Sequence, residues 1–89
     1  MMVLKFGAAW CPGCIIMKPR WAEIEKENPW LETEYFEYDE NLPEVKKYNI
    51  DDKLPVFVFL DKSGQEFMRL TGETAKKEIL DILEKNKDR

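Results

Sequence analysis

The hydrophobic positions of this chain switch between two periods, and each switch marks the edge of an element. Met2-Val3-Leu4-Lys5-Phe6-Gly7-Ala8-Ala9 is a short apolar run with one charged interruption, closing on small residues. That pattern predicts a strand over 2–7 covered on both faces. From Pro12 the spacing changes, with Cys14, Met17, Trp21 and Ile24 on one stripe of a 3.6-residue period that stops at Asn28-Pro29. A helix over 12–27 follows, opened by a proline whose missing N–H costs nothing at the first helical position. Pro19 lies inside it and removes the hydrogen bond to the Ile15 carbonyl, which predicts a bend in mid-helix.

Residues 33–38 mix β-branched and aromatic side chains with glutamates, as a strand near one side of a sheet does. Pro43 opens a short helical piece with Leu42, Val45 and Tyr48 turned inward, and residues 49–53 loop over to Leu54-Pro55. Val56-Phe57-Val58-Phe59-Leu60 is the strongest strand pattern, and residues 61–65 connect it as a hairpin to a strand over 66–70. Beyond Gly72, the residues Ala75, Ile79, Ile82 and Leu83 mark one face of a C-terminal helix that frays at 87–89. Glu73 and Thr74 lie near its positive end, Lys85 and Lys87 near its negative one. The order β-α-β-α-β-β-α predicts an α/β fold with a four-stranded mixed sheet and helices on both faces. Its first two strands are parallel, because a helix crosses between them.

Composition narrows the function. A chain of 89 residues has room for one core, so 1–89 is expected to be a single domain. With 44% hydrophobic and 36% charged residues it can pack that core under a charged surface. Its net charge of −4 provides no field for binding phosphate backbones, so no nucleic-acid partner is expected. No apolar run approaches membrane-spanning length and residues 1–5 carry no leader pattern, so the chain reads as soluble, cytoplasmic and without a membrane partner. It contains no histidine, which excludes histidine acid/base chemistry.

The chemistry then falls on two cysteines, Cys11 and Cys14, at the start of the first helix. Two thiolates without histidine do not complete a tetrahedral zinc site, so no metal is expected unless a second copy supplies ligands. A purely structural disulfide would close a loop too short to stabilise much. Idle buried thiols fit poorly with a strand-to-helix turn, where loops surface. Redox chemistry is the reading favoured by position, because a helix N-terminus stabilises the attacking thiolate. Cys11 would be the nucleophile, and Cys14, one turn on and facing inward, the resolving thiol. Charge agrees: residues 1–22 hold Lys5, Lys18 and Arg20 and no acid, a net +3, leaving −7 for the remainder.

Phe6-Gly7-Ala8-Ala9-Trp10-Cys11-Pro12-Gly13-Cys14 resembles the Phe-Trp-Ala-x-Trp-Cys-Gly-Pro-Cys signature of the thioredoxin superfamily. Pro19, Leu54-Pro55 and Gly72 match the family's helix proline, cis-proline loop and post-hairpin glycine, so the likeness spans nearly the whole chain. The length resembles that of glutaredoxin, without the first strand and helix of thioredoxin. The resemblance implies a minimal thioredoxin fold and a protein-disulfide reductase that carries no bound cofactor beyond a redox-active Cys11–Cys14 disulfide. It implies a substrate groove lined by Trp10, Leu54, a cis Pro55, Thr71 and Gly72. The partners implied are protein disulfides, with thioredoxin reductase or glutathione as electron donor, acting on a monomer. A glutathione-dependent glutaredoxin-like protein and a non-catalytic docking module are the alternatives.

Three departures bear on mechanism. Pro12 and Gly13 are exchanged relative to the signature, and the residues between the cysteines tune the couple. Gly7 stands where the signature has its first tryptophan, which opens space beside the site. Lys5 stands where the family places a buried aspartate. A lysine there either packs its stem and sends its ammonium to the surface, or points beneath the cysteines and favours the thiolate, with Glu37 on the neighbouring strand as its partner.

Overall fold

The computed structural model describes residues 1–89 and orders them as β1 (Met2–Gly7), α1 (Pro12–Glu27), β2 (Glu32–Glu37), α2 (Leu42–Lys47), β3 (Val56–Leu60), β4 (Glu66–Thr71) and α3 (Lys76–Lys85). The strands form one sheet in the order β2-β1-β3-β4. β1 and β2 are parallel, as the intervening helix requires, and the β1–β3 and β3–β4 pairs are antiparallel. The β3–β4 hairpin turns on Asp61, whose Oδ1 accepts from the Ser63 and Gln65 backbone N–H groups at 2.9 and 3.0 Å. These bonds hold the Asp61 carboxyl below its usual range, the Ser63 hydroxyl contributing most.

Alternation along the central strands builds two cores. Val3, Phe57 and Phe59 face Met17, Trp21 and Ile24 of α1 and Ile79 and Leu83 of α3. Leu4, Phe6, Val56, Val58 and Leu60 face the opposite way and pack with Val45 of α2 and Ile50. Helices therefore cover both faces, and β3, with all five residues buried, is the spine. β2 is an edge strand, which explains its mixed composition. No helix is long and apolar enough to cross a membrane.

The differences from the sequence pattern are local. β2 both starts and ends one residue earlier than expected, leaving Tyr38 outside the strand, and β4 ends one later. Leu42 is exposed rather than inward: α2 has only six residues, and Val45 is the one it buries. Ala75 is the exposed, extended N-cap of α3, and Thr74 is buried in its place. The Thr74 backbone accepts from Arg20 at 2.8 Å, which ties α1 to the loop entering α3. α1 continues through Pro19 without interruption.

Candidate functional site

β1 ends at Gly7, and a turn closed by the Cys11 N–H on the Ala8 carbonyl at 3.1 Å delivers the chain to α1. Cys11 is the N-cap of that helix, with extended backbone at φ −94° and ψ 113°, followed by Pro12. The Cys14 N–H donates to Cys11 Sγ at 3.3 Å, so the sulfur occupies the position of a capping oxygen. Both cysteines are unbonded thiols. Their exposure reverses the sequence expectation: Cys11 folds back over the first turn and is 4% exposed, whereas Cys14 is only half-buried. Cys14 nevertheless faces the sheet, with its Sγ 3.2 Å from the point a Gly7 Cβ would occupy. Burial pushes the Cys14 thiol up to about 12, assisted by its hydrogen bond with Cys11 and by the charges of Cys11 and Glu37, against a backbone hydrogen bond at Ala8.

One flank of the dithiol is backbone. The Leu54-Pro55 peptide is cis, and Pro55 Cδ lies 3.1 Å from where a Cβ on Gly13 would stand. Pro55 and Gly13 are thus in close approach, and a side chain at position 13 would press on the proline ring. The Gly72 N–H donates to the Pro55 carbonyl at 2.7 Å, and Gly72 has φ +92°, a conformation that glycine adopts without strain. Thr71 pairs with Val56 beside it. Leu54 packs its side chain into the core on the α2 face, so its side chain is directed away from the cysteines. Trp10 is 55% exposed on the β2 side, where its Nε1–H donates to Asp39 at 2.8 Å and its ring meets Tyr38 edge-on. Ile15 and Ile16, exposed on the outer face of α1, extend the apolar surface around the site.

A cavity of about 470 Å³ opens under the dithiol, lined by Cys14, Gly7, Tyr35, Glu37, Lys5 and Pro55 among others. Lys5 packs its stem there, but its ammonium binds Glu25 at 2.6 Å and lies 5.9 Å from the Trp21 ring centroid. Glu37 is not its partner. α1 runs back across β1, so a mid-strand residue meets the distal half of the helix, and Glu25 lies eleven residues beyond Cys14, roughly 16 Å along an ideal helix axis. Glu37 instead accepts from the Tyr35 hydroxyl at 2.9 Å and from the Ala9 N–H at 3.1 Å. Tyr35 escaped the sequence reading. Its ring and hydroxyl both come within 3.1 Å of the Gly7 Cβ position, so the space vacated by the missing tryptophan is filled from β2 rather than open. The available signal was Gly7 itself, since a glycine at a motif's bulky position invites a neighbour across the sheet.

A family model described as Thioredoxin matches residues 1–85. The chain belongs to the thioredoxin family. It is 33% identical to thioredoxin H3 of Arabidopsis thaliana over 88 residues, covering 98% of this chain and 71% of that protein. It is 34% identical to a thiol:disulfide interchange protein TxlA homolog of Synechocystis over 87 residues, 94% of this chain but only 46% of that protein's length. Mouse glutaredoxin-3 matches at 38% identity over 76 residues, 84% of this chain and 22% of that one. Among solved structures, the thioredoxin NaTrxh of Nicotiana alata superposes with a TM-score of 0.87 at 25% identity, over 96% of this chain and 71% of that one. The Fasciola hepatica thioredoxin superposes at 0.86 and 28%, over 96% and 79%. Against the family signature, the changes in this chain cluster around Cys14: Gly7, Lys5 and the Pro12-Gly13 order.

Proposed function

We propose that the chain is a protein-disulfide reductase working by dithiol exchange through Cys11 and Cys14. The observation that supports this most directly is the asymmetry of the two thiols. Cys11 Sγ receives a backbone N–H at the start of a 16-residue helix, an environment that favours negative charge on sulfur. Cys14 is held protonated by burial and by Cys11 itself. Cys11 attacks a substrate disulfide, one substrate sulfur leaves as a thiol, and a mixed disulfide forms. Cys14 then attacks Cys11 Sγ, forming the Cys11–Cys14 disulfide and releasing the second substrate thiol, so the substrate gains the two electrons that the dithiol loses.

The mixed disulfide removes both the hydrogen bond and the charge by which Cys11 opposes ionisation of Cys14. Resolution therefore becomes easier only after the first step has occurred. Trp10, the Pro55 carbonyl region and the Thr71-Gly72 backbone form the surface that receives the substrate chain, and Pro12 and Gly13 tune the couple. Re-reduction requires an external donor, a thioredoxin reductase or glutathione.

Two variants test the reading. Cys14→Ser should accumulate a mixed disulfide with a disulfide-bonded protein substrate, and Cys11→Ser should neither trap nor turn it over with dithiothreitol as donor. Turnover retained in Cys11→Ser would refute the exchange mechanism. The reduction potential of the couple identifies the donor class: about −270 mV is thioredoxin-like and about −200 to −230 mV glutaredoxin-like.

A further inference from the structure

A carboxylate on β2, Glu37, is hydrogen-bonded to a hydroxyl that shares the space beside Gly7 with the Cys14 thiol. The point where a Gly7 Cβ would lie is 3.1 Å from the Tyr35 hydroxyl oxygen and 3.2 Å from Cys14 Sγ. Oxygen and sulfur are separated by no more than the sum of these distances, a gap spanned by direct contact or by one bridging water. On its other side the hydroxyl donates to Glu37 Oε1 at 2.9 Å. The parallel register pairs Lys5 with Tyr35 and Gly7 with Glu37, which sets both side chains on the face that α1 covers. Glu37 Oε2 accepts the Ala9 N–H at 3.1 Å, which fixes the carboxylate to the turn leading into Cys11.

We propose that Tyr35 and Glu37 form the proton acceptor of the Cys14 thiol when the mixed disulfide is resolved, an assignment that rests on the exchange reading above. The Cys14 S–H proton passes to the Tyr35 oxygen as the Tyr35 proton passes to Glu37, leaving a Cys14 thiolate, a neutral phenol and a neutral carboxylic acid. The thiolate electron pair forms the bond to Cys11 Sγ. The bond from Cys11 to the substrate sulfur breaks, and the substrate thiolate takes up the proton that Glu37 later releases to solvent.

Tyr35 is suited to relay rather than to ionise, because desolvation and then the Glu37 hydrogen bond push its hydroxyl upward. Glu37 is suited to accept, because its charge is one of the influences that oppose the Cys14 thiolate, and protonating it removes that opposition. The other titratable or charged groups lining the same space are Lys18 of α1 and Lys5 of β1, whose ammonium is held by Glu25, with Cys11 beside Cys14; β3 and the loop before it offer only Phe57 and Pro55. The pair thus supplies a carboxylate where the aligned strand position, Lys5, supplies none.

Stopped-flow reaction with a chromogenic aromatic disulfide separates the steps. The first thiolate release is second order and reports Cys11, and the second is unimolecular and reports Cys14. In Glu37→Gln, and in Tyr35→Phe, which retains the ring over Gly7, the first phase should match wild type. The second should slow on the order of 100-fold near neutral pH and converge on wild type in alkali, where hydroxide takes the proton. Variants that resolve as fast as wild type, or slow uniformly with the wild-type pH profile retained, overturn the proposal while leaving the exchange reading intact. A wild type that forms the mixed disulfide and never resolves it overturns both.

Discussion

Replacing Cys11 with serine isolates the contribution of one thiol to the other. In the reduced protein Cys14 is pushed from 9.0 to about 12, so its thiolate fraction at neutral pH falls about a thousandfold, to roughly 10⁻⁵. Burial is the largest cause and survives the substitution. The hydrogen bond with the Cys11 side chain and the Cys11 charge come next and are altered or lost. Serine is a favoured N-cap, so it can still accept the Cys14 N–H and keep the first turn of α1 in place while carrying no charge. Cys14 in Cys11→Ser should therefore titrate between 9.0 and about 12, below the wild-type value and above an ordinary thiol. The assay is the alkylation rate by iodoacetamide as a function of pH, with labelled peptides identified by mass spectrometry. Wild type should be labelled at Cys11 alone near neutral pH, and the variant slowly at Cys14. A Cys14 titration left at about 12 in Cys11→Ser would refute the coupling, and one at or below 9.0 would refute the dominance of burial.

Lys5→Met should change Cys11 alkylation by less than about twofold, because the Lys5 ammonium is neutralised by its ion pair with Glu25 rather than directed at the thiolate; a tenfold slowing would place the charge at the thiolate. Gly72→Ala should cost about 1–2 kcal/mol in denaturant unfolding, since φ +92° is strained for any residue with a Cβ; an unchanged midpoint would contradict it. Because the folded-state value of Cys14 lies above the unfolded one, its contribution to stability is present below about pH 9 and is lost as pH rises toward 12. Reduced wild type should accordingly lose Tm more steeply over that window than Cys14→Ser, and parallel curves would show that Cys14 carries no such linkage.

Much of the fold follows from periodicity. The seven elements, their order, the parallel β1–β2 pair and the covering of β1 on both faces are readable because strand and helix patterns repeat within a few residues, and because a helical crossover permits only a parallel pairing. The position of Cys11 and Cys14 at a helix start is equally local, and the sequence alone therefore located the candidate chemistry. Leu42 and Ala75 depart from the pattern because each stands at a helix terminus, Leu42 opening the six-residue α2 and Ala75 as the extended N-cap of α3.

Contacts between distant segments belong to another level. Which carboxylate holds Lys5, Glu25 or Glu37, depends on where α1 passes over β1, a matter of twenty residues of separation that no spacing rule encodes. That Cys11 is the more buried thiol depends on a capping bond, and that Tyr35 fills the space beside Gly7 depends on the register of two parallel strands. Short-range patterning selects the elements, because backbone geometry repeats over a few residues. The protonation of Cys14 is set by groups that meet only when the sheet is assembled, because electrostatic and steric interactions act through space rather than along the chain.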